Sequence, residues 1–514
     1  MRPDAKRSPA PVDQARMRPV PHGAASAWSP PAMRPVVHLA SGMLLALSVF
    51  MLLPAGIDAL HGNPDWKPFL FACIGLSTFA ALVFRRTRCD LTRGLTLRQA
   101  FVLTPLSWAT ISGCAAIPFY LSAHPGLGGN VTHSYFEAVS GLTTTGATVM
   151  SGLDQTAPGI LLWRALLQWL GGIGIIATVV AILPALGVGG MQLFRTESSD
   201  RSEKVMPRAR EIAKSIAVIY TAMTLLCALA YWAAGMSPFV AATHALSTLS
   251  TAGFSTADAS LARWDIPAVH WIAIVGMIAG ALPFVLYIRA VRRDMAIWRD
   301  AQVRTFLGLI LFVSSWLALW LWWRGFYAPE AAIRHALLNT VSVVTTTGFA
   351  SSDYTLWGNA ATGLFFGLMF VGGCTGSTSG GMKIFRFQVM AIMLRAHFLR
   401  LLYPRGVFPR VYAGKLLSDD VVGSVVVFFA VYFICYGALT IALMGFELDF
   451  LTSASAAVGA LSNVGPGLGT HIGPAGNYAG LPMGAKWLLC FGMLLGRLEL
   501  FTVLILFMPR FWRG

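Results

Sequence analysis

The chain has 514 residues, of which 56% are hydrophobic and 12% charged, whereas soluble domains carry about 25% charged residues. An ordinary soluble globular domain is excluded, because so much apolar surface would have nowhere to hide from water. The net charge of +16 does not signify nucleic acid either: Lys and Arg cluster between every second apolar segment, as in loops retained on the cytoplasmic side of a bilayer.

Residues 1–35 are rich in Pro and Arg and lack the apolar core of a signal peptide, which predicts a disordered basic cytoplasmic tail. An N-terminal two-helix domain follows over 36–98, with helices near 36–57 and 68–84 and an outward connection holding Asp58 and Asp65. From there the chain settles into pore repeats over 99–200, 201–300, 301–412 and 413–514. Each reads as a spanning helix, a short amphipathic segment, a Gly-containing hydroxyl-rich turn and a second spanning helix. The spanning pairs fall near 100–122 and 157–194, 212–234 and 265–290, 303–326 and 358–396, and 416–445 and 484–509. At about 20 residues per crossing, the expected fold is an all-α polytopic membrane protein of about ten spanning helices with both termini cytoplasmic. Seven scattered cysteines show neither disulfide nor zinc spacing.

The repeat is clearest when four segments are stacked on one glycine: HSYFEAVSGLTTTGAT from His133, VAATHALSTLSTAGFST from Val240, HALLNTVSVVTTTGFAS from His335 and TSASAAVGALSNVGPGLG from Thr452. The shared glycines are Gly146, Gly253, Gly348 and Gly465, spaced by 107, 95 and 117 residues. Three residues before them stand Thr143, Ser250, Thr345 and Ser462; two before, Thr144, Thr251, Thr346 and Asn463. Four copies of one pattern imply four pseudo-symmetric modules around a common axis.

Irregular backbone at membrane depth is tolerated only where protein buries it or it lines a wet cavity. Four such turns meeting on an axis present rings of carbonyls, which replace the water shell of a cation in selectivity filters. The candidate ligands are the backbones of Thr144, Thr145 and Gly146; Thr251, Ala252 and Gly253; Thr346, Thr347 and Gly348; and Asn463, Val464 and Gly465. Glycine suits backbone angles that a Cβ resists. The segments led by His133, His244 and His335 fit half-helices whose C-terminal ends point partial negative charge at the ion. Asp154, Asp258, Asp353, Glu447 and Asp449 near the outer mouth either concentrate cations or are ordinary solvated charges. Glu137, within the first half-helix, reads as a structural hydrogen-bonding group rather than an ion ligand.

The helix after the third turn is interrupted by GGCTGSTSGG, in which Gly372, Gly373, Thr375, Gly376, Ser377, Thr378, Ser379, Gly380 and Gly381 make a poor helix. Its place predicts a flexible intramembrane loop under the third turn, obstructing the pore. A phosphate-binding loop is disfavoured, since GSTSGGMK lacks the Gly-Lys-Ser/Thr order. GIGIIA at Gly172 lies inside a span, where close helix packing explains it better than a dinucleotide site. Arg497 falls near mid-membrane in the last helix, where an unpaired cation costs at least about 2.5–3.5 kcal/mol. It either contacts the glycine-rich loop as an electrostatic barrier or pairs structurally with Glu499 or with helix ends. Lys383 and Arg386 read as positive-inside anchors.

These turns, together with LLQWLGGIGI, FVGGCTGSTSGGMKIFR and LLGRLELFT, resemble the Trk/Ktr/HKT superfamily of potassium transporters, in its TrkH type with two extra N-terminal helices. The resemblance covers the chain from about residue 36. It implies K+ as the transported ion in the bacterial inner membrane, bound at the filter residues alone, with no cofactor. It also implies a homodimer, a TrkA-like cytosolic ring of nucleotide-binding regulatory domains, and a gating role for 372–381. In the related plant transporters a serine in the first turn goes with sodium preference, so Gly146 favours potassium. The extended basic tail departs from the family's short start.

A secondary transporter coupled to Na+ or H+ is the alternative. That class shows inverted repeats and intramembrane carboxylates, whereas these repeats run in one direction and Glu499 is the only deep acid. A membrane-embedded enzyme would need clustered catalytic side chains, and the ten histidines do not cluster.

Overall fold

The computed structural model describes residues 30–90, 95–181, 205–292, 294 and 296–513. Most of the expected tail, and the end of the first repeat's second span, lie outside the described residues. The first helix begins at Pro30, inside the stretch expected to be a tail. It continues through a kink at Met51 to form one span, Met33–Leu60, which packs with Trp66–Arg86 against the first helix of repeat 1. Asp58, expected in an outward connection, is fully buried: its Oδ1 accepts from the Gly159 amide at 2.7 Å, while Asp65 accepts from Ala123 at 3.0 Å. Two carboxylates thus dock the N-terminal pair onto repeat 1 by satisfying backbone donors.

Seven helices among the described residues are long and apolar enough to cross a membrane. The first helix of each repeat is continuous: Leu97–Leu121, Val205–Ala233, Ala301–Trp323 and Asp419–Met444. Their starts follow local chemistry. Thr96 and Gln99 form a reciprocal capping box, Asp300 accepts from Gln302 and Val303, and Ser418 accepts from Val421.

The second helices depart from expectation. The sequence predicts one interruption, in repeat 3, yet repeats 2 and 4 are broken as well. Pro267–Ala281 and Phe284–Val291 meet at 96°, and Met483–Arg497 and Phe501–Phe507 at 110°. Pro283 ends the hydrogen-bond ladder in the first case; in the second, Glu499 takes a positive φ of 59°. In repeat 3 the helix is absent from Met369 to Lys383, between Asn359–Leu368 and Ile384–Leu402. Residues 411–416 add a two-stranded hairpin, and an isolated parallel bridge joins Val371 to Met382 across the glycine-rich loop.

The half-helices are Val131–Leu142, Pro238–Leu249, Pro329–Val344 and Phe450–Leu461, each ending four residues before its glycine. Asn130, Ser237 and Asp449 cap three of them, and Pro329 opens the fourth at its first turn. The second helices pass tightly over the half-helix ends. A Cβ on Gly171, Gly280 or Gly496 would stand 1.8, 2.6 or 2.0 Å from the carbonyl oxygen of Leu142, Leu249 or Leu461.

Candidate functional site

All four half-helices terminate in the same backbone knot. The amides of Thr145, Ala252, Thr347 and Val464 return to the carbonyls of Ser140, Ser247, Ser342 and Gly459 at 2.9, 3.1, 2.8 and 2.9 Å. The amides of Thr144, Thr251, Thr346 and Asn463 return to Gly141, Thr248, Val343 and Ala460. This is the Schellman termination, whose pivot residue is left-handed and usually Gly or Asn. Here the pivots are Thr144, Thr251, Thr346 and Asn463, with φ of 53°, 49°, 59° and 54°. A left-handed side-chain-bearing residue costs roughly 1–2 kcal/mol, and such strain concentrates where a site needs it. The next residue has ordinary φ and the glycine after it returns to 83°, 81°, 85° or 99°.

The turns meet in a closed cycle. A Cβ built on Gly146 would lie 2.2 Å from the Ala252 oxygen, and one on Gly253 1.9 Å from that of Thr347. On Gly348 it would lie 2.4 Å from the Val464 oxygen, and on Gly465 2.5 Å from that of Thr145. Each glycine therefore abuts the carbonyl of the next repeat, and the fourth closes on the first. The sequence reading assigned these glycines only a conformational role; packing adds a steric one.

The pivot side chains face two ways. Thr251 Oγ1 meets Thr378 Oγ1 at 3.0 Å, and Thr346 Oγ1 accepts from the Gly380 amide at 2.7 Å. Thr144 Oγ1 and Asn463 Oδ1 are buried and have no protein partner.

Beyond each glycine, the half-helix grips its own exit strand. Glu137 is fully buried, pairs with Arg164 at 2.7 Å, and accepts from Thr148 Oγ1 and the Val149 amide. At the same register His244 contacts Ser255 Oγ at 3.1 Å, and Asn339 accepts from the Ser351 amide at 3.2 Å. In repeat 4 the neighbouring Ser455 accepts from Leu468 at 2.9 Å. Arg164 also donates to the Ser255 carbonyl and lies 4.0 Å over the Phe254 ring, joining repeats 1 and 2.

The acids expected at the mouth mostly have structural work. Asp258 accepts from the amides of Gly152 and Leu153, Asp154 faces Arg263 at 3.6 Å, and Asp353 and Asp449 cap short helices.

The glycine-rich loop lies directly against the turns. Ser379 Oγ donates to the Thr345 carbonyl at 2.8 Å, and Thr378 Oγ1 contacts the carbonyls of Leu249 and Gly280 at 3.1 and 2.9 Å. A Cβ on Gly380 would strike the Ser462 oxygen at 2.3 Å. Cys374 and Thr378 donate to the carbonyls at the break in repeat 2, Thr375 donates to Gln302, and Gly376 accepts from Phe284. Ser377 closes on Cys374; Gly372 pairs with Met382; the Gly373 amide donates to Ser379 Oγ; Gly381 takes a φ of 67°.

Arg497 ends its helix rather than lying within one, and donates to the Thr378 carbonyl at 2.9 Å and to Gly171 at 3.5 Å. It does not pair with Glu499. That carboxylate is taken by Arg386, which also stacks 3.6 Å over Phe428. Arg386 and Lys383, read as surface anchors, are instead 2% and 7% exposed, and Lys383 donates to the Ser379 carbonyl. The interruption of the helix carries both inward, which linear position does not reveal.

Two residues missed by the sequence reading touch the turns. Gln168 donates to the Ala252 carbonyl at 2.7 Å, and Tyr478 OH donates to the Gly465 carbonyl at 2.8 Å. An amide inside an apolar span was a usable signal for Gln168; nothing local marked Tyr478.

Helices of spanning length, interrupted helices and four half-helices aimed at one cyclic knot define an all-α polytopic membrane protein of transport type. Residues 69–513 match the TrkH family, described as a cation transport protein. The Trk system potassium uptake protein TrkI of Halomonas elongata is 47% identical over 93% of this chain and 97% of its own length. TrkH of Vibrio parahaemolyticus is 38% identical, over 92% and 98%. The crystal structure of the potassium transporter TrkH from Vibrio parahaemolyticus superposes with a TM-score of 0.86, covering 93% of this chain and 99% of that one at 34% identity. The chain belongs to the TrkH family of cation transport proteins.

Proposed function

We propose that this protein is the pore-forming subunit of a potassium uptake system, conducting K+ inward across a bacterial inner membrane with both termini in the cytoplasm. The observation that carries this reading is the cyclic contact of the four turns, in which each glycine abuts the carbonyl of the next. The proposed K+ ligands are the backbone oxygens of Thr144–Gly146, Thr251–Gly253, Thr346–Gly348 and Asn463–Gly465. The unpartnered Thr144 Oγ1 and Asn463 Oδ1 support it, because a buried oxygen without a protein donor needs water or a cation. One charge moving inward gains about 2.3 kcal/mol per 100 mV, so transport needs no catalytic centre in this chain.

In this reading residues 372–381 are the gate, held shut by Thr378, Ser379 and Gly380 against turns 2, 3 and 4, with Arg497 as a fixed positive barrier beneath them. The relatives' names as Trk-system components support association with other Trk components; that the regulator is a TrkA-like cytosolic nucleotide-binding ring, and that the protein is a homodimer, rest on the family resemblance. The repeats over 99–200, 201–300, 301–412 and 413–514 act as the four quarters of the pore, with 36–98 as an accessory pair.

The test is K+ and Na+ flux into proteoliposomes under a negative interior potential, with Gly146→Ser beside wild type. Wild type should prefer K+, and the variant should lose that preference. Absence of K+ flux, with and without the cytosolic partner, refutes the reading. Shortening 372–381 should raise basal flux; unchanged flux refutes the gate.

A further inference from the structure

The four turns are not braced alike. In repeats 1 and 3 the residue before the glycine is threonine, and its hydroxyl meets that of the threonine two residues earlier: Thr143 with Thr145, and Thr345 with Thr347, both at 2.7 Å. Repeats 2 and 4 carry Ala252 and Val464 there and cannot form this internal strut. In those two turns the carbonyl of the glycine, or of the residue before it, is instead held by a donor from outside the turn, whereas in turn 3 the outside donor Ser379 reaches only the earlier Thr345 carbonyl.

Turn 2 is held by Gln168, fully buried on the second helix of repeat 1. Its Nε2 donates to the Ala252 carbonyl at 2.7 Å. Its Oε1 accepts from the Phe254 amide at 3.2 Å and from Ser247 Oγ at 2.7 Å. A backbone carbonyl on one side and a backbone N–H on the other leave the amide only one orientation. Gln168 thus clamps turn 2 on both sides of Gly253. Turn 4 is held by Tyr478, whose hydroxyl donates to the Gly465 carbonyl at 2.8 Å while its own amide is anchored on the Thr148 carbonyl at 2.8 Å. The ring of Tyr478 is buried and packs 5.6 Å from Phe136. The Gln168 brace crosses the seam from repeat 1 to repeat 2, whereas Tyr478 braces the turn of its own repeat from an anchor on repeat 1.

We infer that Gln168 and Tyr478 are specificity-determining positioning residues, which set the preference for K+ over Na+ by holding the Ala252 and Gly465 carbonyls from outside their turns. A carbonyl with one lone pair engaged in this way has a fixed direction and a weakened field. A fixed ring resists closing around the smaller ion, and a weaker field favours the ion that holds its water less tightly. On either account of filter selectivity, removing the donor shifts preference toward Na+.

This inference rests on the filter reading above, and one set of variants separates the two. Gln168→Met keeps the volume and removes the clamp; Tyr478→Phe removes a single hydroxyl; Gly146→Ser probes the ring itself. The readouts are the K+ to Na+ flux ratio in proteoliposomes and the melting temperature of the purified protein. The expected result is a ratio lowered about five-fold by each brace variant, the equivalent of about 1 kcal/mol for one hydrogen bond. If Gly146→Ser shifts the ratio and neither brace variant does, the inference is overturned and the filter stands. If Gly146→Ser also leaves the ratio at the wild-type value, the filter reading falls and takes the inference with it. A lower melting temperature with an unchanged ratio marks a purely structural bond and likewise overturns it. Should Gln168→Met not fold, Tyr478→Phe decides alone.

Discussion

Replacing Gly253 with alanine tests whether the cyclic contact of the turns is what these glycines serve. The residue has a φ of 81°, so any side chain there costs roughly 1–2 kcal/mol in backbone strain. A Cβ would lie 1.9 Å from the Thr347 oxygen, whereas a carbon–oxygen contact settles near 3.3 Å. The two turns must separate by about 1.4 Å, and the obstructing atom is main chain, tied into the knot of repeat 3. Overpacking of this kind costs typically about 1–3 kcal/mol, so the total expected loss is about 2–5 kcal/mol. Gly308, at an exposed position of the helix Ala301–Trp323 with nothing within 4 Å of an added Cβ, provides the contrast: Gly308→Ala should stabilise by up to about 1 kcal/mol. Thermal unfolding of purified protein and the K+ to Na+ flux ratio are the measurements. The clearances of 1.9, 2.2, 2.4 and 2.5 Å further predict disruption in the order Gly253, Gly146, Gly348, Gly465. A Gly253→Ala protein that loses only the strain cost and keeps wild-type selectivity would refute the steric argument.

Removing Glu137 leaves Arg164 buried without its carboxylate, a loss of about 3–5 kcal/mol; Glu137→Ala should melt well below wild type, and Glu137→Ala with Arg164→Met should recover part of the difference. Glu499→Gln does the same to Arg386, and should lower the melting temperature where Glu447→Gln, on an exposed loop, leaves it unchanged. Asp449→Ala removes the cap of the fourth half-helix, worth about 1 kcal/mol. Hydrogen bonds from Thr452 hold the Asp449 carboxyl below the usual carboxylate range. Its contribution is therefore complete above the ordinary carboxyl value of about 4 and is lost as pH falls through the depressed one. The wild-type and Asp449→Ala melting curves should differ at pH 7 and converge in strong acid; a gap that persists in acid contradicts the capping role.

Much of this protein was legible in one dimension because the bilayer imposes periodic demands on the chain. Length sets the crossings, and any irregular backbone at depth needs protein or water around it. Four hydroxyl-rich segments aligned on Gly146, Gly253, Gly348 and Gly465 were visible for the same reason, as was the glycine-rich interruption at 372–381. The break at Leu498–Leu500 was not, because apolar composition does not distinguish a straight helix from one bent by 110°, whereas the 96° break at Leu282–Pro283 had a usable local signal in Pro283 that the apolar pattern masked.

What only the tertiary structure decided was which groups face one another. That Glu499 takes Arg386 rather than Arg497, and that Lys383 turns inward, follows from segments far apart in the chain meeting beneath the turns. The sequence alone determined that the turns are repeated, carry a shared glycine and are too polar for lipid. Closure of their carbonyls into a cycle, and support of one of them by Gln168, depend on distances between repeats that no local pattern encodes, while Tyr478 reaches Gly465 through the folding of its own repeat.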